Sequence, residues 1–504
     1  MKKILFFKVF ILFSFIFIHS SQRYNQLFIE KALEKRNFKE FDDETYCKIA
    51  RNYFLEGNFE NFLGTLRNID NDEIKVLTVE RSFNDAIENK DYDFALKLVE
   101  NLNDSFKSKF YLKIANEYLR DQNVSKAKKY FELSETFLSY IKNDFEKTQT
   151  KILLGKGFGL VKEISKSLSL LSSAFWETNR MKNKNEKAFL LVELFDAYRK
   201  LNLSVNSKLV EIQLGFENDP EILLTISEKF FEKGDSLSSK KYLDLAYKNK
   251  DRIKNNVKKT LLLSQMTNDY YLLNDKVKLA NSFKETIKEA KSITKRVERI
   301  KMILSVLRFN NDENIEKLLI EDISMVKDER LKNEMFLKLI ETYLIKGEDK
   351  KGFLLLKLFI NEMKANNDEN VLFYLHLISE MYANYGSVSS CFEFIKILKR
   401  DFKKYPSIIS KMYIYRNDFT SGLEYIKSIK GNQEKIPLLY LFLEETFKKE
   451  DNSLNNKNLQ EVFQLISRID DRKLKSLLLL DISYLILKYN VNIDNKTLYY
   501  LETI

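Results

Sequence analysis

The chain has 504 residues, more than one compact hydrophobic core usually holds, so we expect several domains or an elongated array of repeats. Only 3 prolines and 12 glycines interrupt a composition rich in leucine, lysine, glutamate and phenylalanine, which favours a nearly all-helical fold over a β-sheet fold. The formal net charge of +11 is spread over segments of mixed sign, a pattern typical of solvated helix faces rather than of a nucleic-acid surface.

Residue types that form catalytic and metal sites are scarce. The chain has two histidines, His19 and His376, and two cysteines, Cys47 and Cys391. These numbers exclude a multi-histidine metal site in a mature chain, a disulfide framework and a CxxC motif. No cofactor motif occurs in the sequence, and no pair of carboxylates is marked by its context as an acid–base couple. We therefore expect no catalytic, cofactor-binding or metal-binding residues.

Residues 1–21 have the layout of a secretory signal peptide. Three lysines accompany the apolar run Val9–Ile18, and small polar residues follow it. Cleavage after Ser20 or Ser21 would make the protein extracytoplasmic, either periplasmic or secreted. The alternative is an uncleaved anchor over residues 4–18, which would associate the protein with a membrane.

A helix–turn–helix pattern is clearest in Lys109–Phe131. Ala115 is followed by Tyr118 at +3, by Ala127 at +12 and by Phe131 at +16. Steps of three and four residues stay on one helix face, so each small residue shares a face with an aromatic one. The polar turn DQN interrupts the periodicity, and the stretch therefore predicts two paired helices.

The same spacing recurs along the chain, with glycine or asparagine at +7. Glycine at this position favours a left-handed residue that ends the first helix. Adjacent copies lie roughly 31–40 residues apart. The copies comprise Ala50, Tyr53, Gly57, Phe62 and Leu66; Ser227, Phe230, Gly234, Ser239 and Leu243; Ile340, Tyr343, Gly347, Gly352 and Leu356; Ser379, Tyr382, Gly386, Cys391 and Ile395; and Ser410, Tyr413, Asn417, Gly422 and Ile426.

This spacing resembles the tetratricopeptide repeat (TPR), whose repeats are about 34 residues long. The resemblance implies an all-α, right-handed superhelical α-solenoid of antiparallel helix pairs; a looser α-solenoid of helical pairs is the alternative. The tryptophan of the family's first helix and the proline that closes its second helix are absent. The basic stretch Lys248–Lys259 predicts a boundary between two TPR-like halves, residues 22–250 and 251–504.

Glycines and prolines predict where helices are interrupted. The stretch Gly155–Gly159 holds three glycines within five residues. Because GxxxxGK[ST] is absent and no strand precedes this stretch, a flexible break between helices is favoured over a phosphate-binding loop. Pro220, Pro406 and Pro437 each stand at the expected start of a first helix.

In TPR proteins the first helix of each pair lines a concave groove that binds partner segments. If this chain is similar, the groove is lined by the residues two before and one after the first residue of each copy, such as Ala50 or Ala115. Early copies then contribute a basic to neutral set and later copies a more acidic set, which predicts a groove whose charge changes sign along the chain. The partner-binding residues expected on this basis are Lys48, Arg51, Lys113, Asn116, Glu228, Lys338, Glu341 and Glu380.

These features predict an exported, non-enzymatic scaffold or adaptor that binds a protein or peptide partner through its concave groove. Nucleic acid is not an expected partner of an exported chain. One alternative is an accessory subunit or the body of an envelope enzyme that acts on the cell wall. The other is a membrane-anchored basic scaffold that binds lipid head groups or nucleic acid, with affinity that falls steeply with salt.

Overall fold

The computed structural model describes residues 27–32, 41–310, 312–365, 370–402 and 405–504. Within these ranges the secondary structure is helical, and no β-strand occurs. The expected signal peptide, and the alternative anchor over residues 4–18, lie outside the described residues. None of the described helices combines the length and the apolar character needed to cross a bilayer.

From Asp43 onward the described residues form 26 α-helices, which we number α1–α26. Odd-numbered helices are the first members of consecutive pairs and even-numbered helices the second members, and α5 with α6 and α11 with α12 are among the most closely packed pairs. The bounds are α1 Asp43–Leu55, α2 Phe59–Leu66, α3 Asp72–Glu88, α4 Tyr92–Glu100, α5 Asp104–Arg120, α6 Val124–Phe137, α7 Asp144–Leu160, α8 Ile164–Arg180, α9 Lys184–Lys200, α10 Ser204–Gly215, α11 Pro220–Glu232, α12 Ser236–Asn249, α13 Asn256–Leu272, α14 Lys276–Lys291, α15 Arg296–Leu307, α16 Glu313–Ser324, α17 Glu329–Ile345, α18 Asp349–Ala365, α19 Val371–Tyr385, α20 Val388–Asp401, α21 Pro406–Tyr415, α22 Phe419–Ser428, α23 Asn432–Phe447, α24 Asn452–Ser467, α25 Arg472–Lys488 and α26 Asn495–Glu502.

The turn between the two helices of a pair is short because the same few residues form the hydrogen bonds that end the first helix and those that begin the second. Between α5 and α6 the backbone N–H of Asn123 donates to the carbonyl of Tyr118 at 2.8 Å, and Gln122 is left-handed with a φ of 60°. The Asn123 side chain then accepts from the N–H of Lys126 at 3.1 Å. A Schellman-type end is thus joined directly to an N-cap, and free backbone groups of both helices are satisfied.

Left-handed residues recur at equivalent turns. They occur at positions 57, 90, 122, 162, 202, 234 and 274, which are 32 to 40 residues apart. Gly57, Gly234 and Gly347 have φ angles of 74°, 77° and 72°, which confirms the conformation expected at +7. Gly386 differs, since it is extended with a φ of −76°. A Cβ there would lie 2.8 Å from the carbonyl oxygen of Tyr382, so close packing excludes a side chain at this position.

Small residues bring the helices of a pair together, as the spacing predicts. Ala115 and Ala127 are completely buried in α5 and α6, and Phe131 fills the space beside them. In the α11–α12 pair the Ser227 hydroxyl donates to the carbonyl of Ser239 at 2.8 Å. The expected all-α architecture of TPR-like helix pairs is therefore confirmed, whereas the right-handed superhelix stays a prediction.

The glycine-rich stretch Gly155–Gly159 lies inside α7, and the expected break between helices is wrong. A Cβ at Gly157 would lie 2.5 Å from the ring of Phe131 on α6. A Cβ at Gly155 would lie 2.7 Å from Leu171 on α8. The neighbouring helices approach α7 too closely for side chains at these positions, so the glycines serve helix packing rather than flexibility.

Two of the three prolines occupy the predicted place. Pro220 and Pro406 are the first residues of α11 and α21, where the missing N–H has no intrahelical partner to lose. Pro437 lies inside α23, five residues after the helix begins at Asn432, so its predicted position ahead of the helix is wrong. The exposed Pro437 ring is tolerated close to the helix start, where few intrahelical hydrogen bonds precede it.

The chain divides into two compact units. A discontinuous unit comprises residues 1–85 and 347–504 as far as they are described, and a continuous unit comprises residues 86–346. The predicted boundary between halves at residues 250 and 251 lies within the continuous unit, in the 3-10 helix Lys250–Arg252. It therefore does not coincide with a boundary between these units.

In the discontinuous unit the N-terminal helices pack against the C-terminal ones. The Asn52 side-chain amide on α1 donates to the carbonyl of Leu480 on α25 at 3.0 Å. The ring centroids of Phe28 and Phe463 lie 5.9 Å apart. Residues far apart in sequence thus cover apolar faces that an open end of a repeat array would expose to water.

Candidate functional site

The predicted groove residues nearest the N-terminus, Lys48 and Arg51, lie on α1 and face α25. The Lys48 ammonium lies 2.5 and 2.7 Å from the two carboxylate oxygens of Asp481. Burial raises the pKa of Asp481, and the ion pair with Lys48 opposes that rise. The Arg51 guanidinium lies 4.0 Å from the centroid of the Tyr484 ring. Both cations already have intramolecular partners, so binding of another molecule through them stays a prediction that has to compete with these contacts.

Two further predicted residues, Lys113 and Asn116, share one face of α5. Lys113 is exposed, with its ammonium 5.5 Å from the centroid of the Phe110 ring, and Asn116 is half-buried. Both therefore lie at the surface of the continuous unit, as the repeat pattern predicts for residues of a first helix.

Glu341 and Glu380, the later members of the predicted set, each form an ion pair. The Lys338 ammonium lies 2.5 Å from Glu341 within α17. The Lys411 ammonium on α21 lies 2.6 Å from Glu380 on α19. These two acids belong to different compact units, and the expected change of charge along a single groove stays a prediction.

The candidate site is a pair of carboxylates on neighbouring first helices, Glu228 of α11 and Asp269 of α13. Glu228 belongs to the predicted set, whereas the same spacing rule selects Asn268 in place of Asp269. Oδ1 of Asp269 accepts from the Asn268 amide at 3.4 Å. Oδ2 is buried and has no hydrogen-bond partner among the described residues. An acceptor of this kind is costly to bury.

The electrostatics of the two carboxylates are coupled. Burial, followed by repulsion from Glu228, raises the pKa of Asp269 to about 7. Burial also raises the pKa of Glu228, although Lys229 opposes this rise. Lys229 is itself 2.6 Å from Glu232. No lysine or arginine of the described chain forms an ion pair with Glu228 or Asp269, in contrast to other acids of the continuous unit.

Nearby acids in the continuous unit are neutralised. On α9, Asp196 lies 2.9 Å from the Lys156 ammonium and 3.2 Å from that of Lys200. Burial opposes ionisation of Asp196, yet the hydrogen bond from Lys156 leaves its pKa lowered. Glu193 lies 2.7 Å from Lys233. Lys200 is four residues from Asp196 on the same helix, whereas Lys156 and Lys233 come from other repeats, so local sequence gave no signal for these two partners.

A cleft of about 350 Å³ lies between α9 and α11, beside these ion pairs. Phe195 and Phe230 contribute rings whose centroids lie 5.4 Å apart, and Arg199 lies 2.6 Å from Asp235. The cleft could hold a side chain of a bound segment between aromatic and charged groups. Its lining residues are Phe195, Asp196, Arg199, Lys200, Phe230, Lys233, Gly234 and Asp235.

Among the described residues, no group of three or more His, Cys, Asp or Glu side chains is arranged to hold a metal ion. Cys391 is buried, and its sulfur donates to the carbonyl of Tyr382 at 3.1 Å. Burial raises the pKa of this thiol, and it also raises the pKa of the half-buried Cys47 thiol. Both cysteines are free thiols held mainly in the protonated form, which is less nucleophilic than a thiolate.

No protein-family model matches the sequence, and no curated protein matches it. Among solved structures, the chain is similar to Ton1535 from Thermococcus onnurineus, with 12% identity over 80% of this chain and 99% of that one and a TM-score of 0.24. It is similar to the pentatricopeptide repeat protein PPR10 from maize, with 11% identity, coverage of 90% and 75% and a TM-score of 0.22. For yeast Tom70 the identity is 14%, the coverage 86% and 100% and the TM-score 0.21. At these scores the repeat architecture rests on the helix pairs of this chain themselves.

Proposed function

We propose that the protein is an exported, non-enzymatic scaffold that binds a protein or peptide partner through the surface of its first helices. The observation that carries the proposal is the pair Glu228 and Asp269 on adjacent first helices, two acids that form no ion pair with a described lysine or arginine. A lysine or arginine of the partner beside this pair would supply the opposite charge. Export rests on the signal-peptide pattern of residues 1–21.

The proposed contact has a pH dependence whose sign follows from Asp269. A cationic partner binds the ionised carboxylate better than the protonated one. Since the pKa of Asp269 is raised to about 7, binding has its full strength above this pH and weakens as the pH falls through it. Asp269→Asn resembles the protonated side chain in shape and charge, and should remove this pH dependence.

The test is crosslinked affinity capture from intact source cells at about pH 8 and about pH 6. The wild type is compared with Glu228→Gln/Asp269→Asn, which removes both charges with little change in side-chain size. We expect about tenfold less of a specific, identified protein with the double variant, and less with the wild type at the lower pH. The matched control is Glu321→Gln, because Glu321 is an exposed acid on the second helix α16.

The result that contradicts the proposal is equal capture of the same partner by the wild type and the folded double variant. Far-UV circular dichroism of each variant distinguishes loss of binding from loss of fold. If Glu321→Gln reduces capture as much as the double variant does, general acidity of the surface, not the Glu228–Asp269 pair, determines binding.

A further inference from the structure

Helix α10 carries a stripe of apolar side chains that the protein leaves in contact with solvent. The stripe consists of Val205, Leu209, Ile212 and the C-cap residue Phe216, which are between 49% and 79% exposed. Their steps of four, three and four residues repeat the spacing at which one α-helix packs into the seam of another. Along the axis the stripe is about 16 Å long, which corresponds to three turns of helix.

This stripe is not the side by which α10 packs on its own protein. The buried residues of α10 are Val210 and Leu214. At about 100° per residue, these two lie on the opposite side of the helix from Leu209 and Ile212. The helix therefore has two apolar faces, and the fold accounts for only one of them. Isolated exposed apolar residues are ordinary on a protein surface, but four aligned on one helix form an interaction surface.

The only tryptophan of the chain lies on the neighbouring second helix. Trp176 of α8 is 65% exposed, although a tryptophan among apolar helix residues is usually largely buried. The side-chain amide of Gln213 on α10 donates to that of Asn179 on α8, which connects the two helices near the C-terminal end of each. Trp176 and the stripe of α10 thus lie on two helices that are in contact.

Positive charge without an ion-pair partner lies on these two helices and directly after α8. Arg180, Lys182 and Lys208 are exposed and form no ion pair with any described residue. The acids of the two helices are, in contrast, occupied: Glu177 pairs with Lys151, and Glu211 lies 2.8 Å from Lys241. An apolar stripe with cations beside it is complementary to an apolar stripe with acids beside it.

We propose that the outer face of α10 binds one amphipathic α-helix of a partner protein, with apolar residues at heptad spacing and glutamate or aspartate beside them. A second copy of this chain would bring like charges together, since its own Arg180, Lys182 and Lys208 would accompany the stripe. The stripe is confined to one helix and is about 16 Å long, which suits a single partner helix better than an extended anionic bilayer. This site is distinct from Glu228 and Asp269, and its presence does not depend on them.

The test uses Trp176 fluorescence, because this residue is the only tryptophan, is exposed and lies on α8, which contacts α10 through Asn179 and Gln213. The probe is a synthetic, tryptophan-free helical peptide of about three heptads, with leucine at a and d and glutamate at e and g. We expect saturable binding, a blue shift of the emission and weaker binding at high salt. A peptide with lysine at e and g should bind about tenfold more weakly or not at all.

The variant Leu209→Ser/Ile212→Ser removes the centre of the stripe, and its affinity for the glutamate peptide should fall about tenfold or more. The control is Leu237→Ser/Val277→Ser, which changes two still more exposed apolar residues at the starts of α12 and α14 and should bind as the wild type does. Circular dichroism confirms that both variants are folded. Binding by Glu228→Gln/Asp269→Asn should be unchanged, which separates this site from the first-helix site.

Three outcomes overturn the proposal. One is equal peptide affinity of the stripe variant and the control variant. Another is a Trp176 shift produced by phosphatidylglycerol vesicles but not by the glutamate peptide, which assigns the face to lipid. The last is a dimer in sedimentation that disappears with Leu209→Ser/Ile212→Ser while the peptide does not bind, which assigns it to a second copy.

Discussion

Helix α7 is rich in glycine and yet buried, whereas helix α10 is apolar on two sides and yet partly exposed to water. Helix α7 contains Gly155, Gly157 and Gly159 and looks too weak to be a helix, yet all three glycines are buried among neighbouring helices. Helix α10 has apolar residues on two sides, yet one side faces water. The comparison shows that a helix in this protein is specified by the elements packed around it as much as by its own residues.

The largest effect expected from this comparison is at Gly157. In Gly157→Ala the new Cβ would overlap the completely buried ring of Phe131, and the neighbouring helices would have to move. We expect a loss of about 1–3 kcal/mol in the free energy of unfolding, despite the better helix propensity of alanine. Urea unfolding followed by circular dichroism measures it. A variant as stable as the wild type would show that α7 tolerates separation from its neighbours.

Gly234→Ala tests a glycine whose requirement is conformational rather than steric. Its φ is 77°, and no atom lies within 4 Å of the position of an added Cβ. We expect a loss of about 1–2 kcal/mol, because an L-residue is strained in the left-handed region. Gly234→Asn should recover part of this loss, since asparagine tolerates that conformation better. If the Gly234→Ala and Gly234→Asn variants are equally stable, the turn does not need a residue that tolerates the left-handed conformation.

Gly215→Ala tests the opposite sign in α10. Gly215 is helical, its φ is not positive, and an added Cβ would have no atom within 4 Å. We expect the free energy of unfolding to rise by about 0.5–1 kcal/mol, because alanine loses less backbone freedom on folding. Thermal and urea unfolding of Gly215→Ala, Gly157→Ala and the wild type under the same conditions measure these free energies. Destabilisation would indicate that α10 has a close neighbour at this position.

The smallest effect on stability per substituted residue is expected for Leu209→Ser/Ile212→Ser. Both side chains are about half exposed, so their removal should change the free energy of unfolding by no more than about 0.5 kcal/mol per residue. A loss of several kcal/mol would falsify the view that this stripe is free of intramolecular packing. Hydrogen exchange of the α10 amides, compared between this variant and the wild type, would localise any such loss.

The sequence by itself determined the pairs of helices and the turns between them. The spacing from Ala115 to Phe131, and the glycines at positions 57, 234 and 347, identify these elements because a helix end and its cap depend on residues within about six positions of each other. Of the candidate site, Glu228 followed from this repeat. Such interactions are local, so one segment of sequence contains all the residues that form them.

Only the tertiary structure decided which of the predicted surface residues have partners within the protein. Lys48 matches the pattern of a groove residue, but Asp481, 433 residues away, holds it. Asp269 became a site residue because burial, and then repulsion from Glu228 of the preceding pair, raises its pKa and because no donor of the described residues reaches its Oδ2. The glycines of α7 and the stripe of α10 likewise depend on neighbours from other repeats. Burial and ion pairing are properties of the contacts between segments, and their partners are not specified by local spacing.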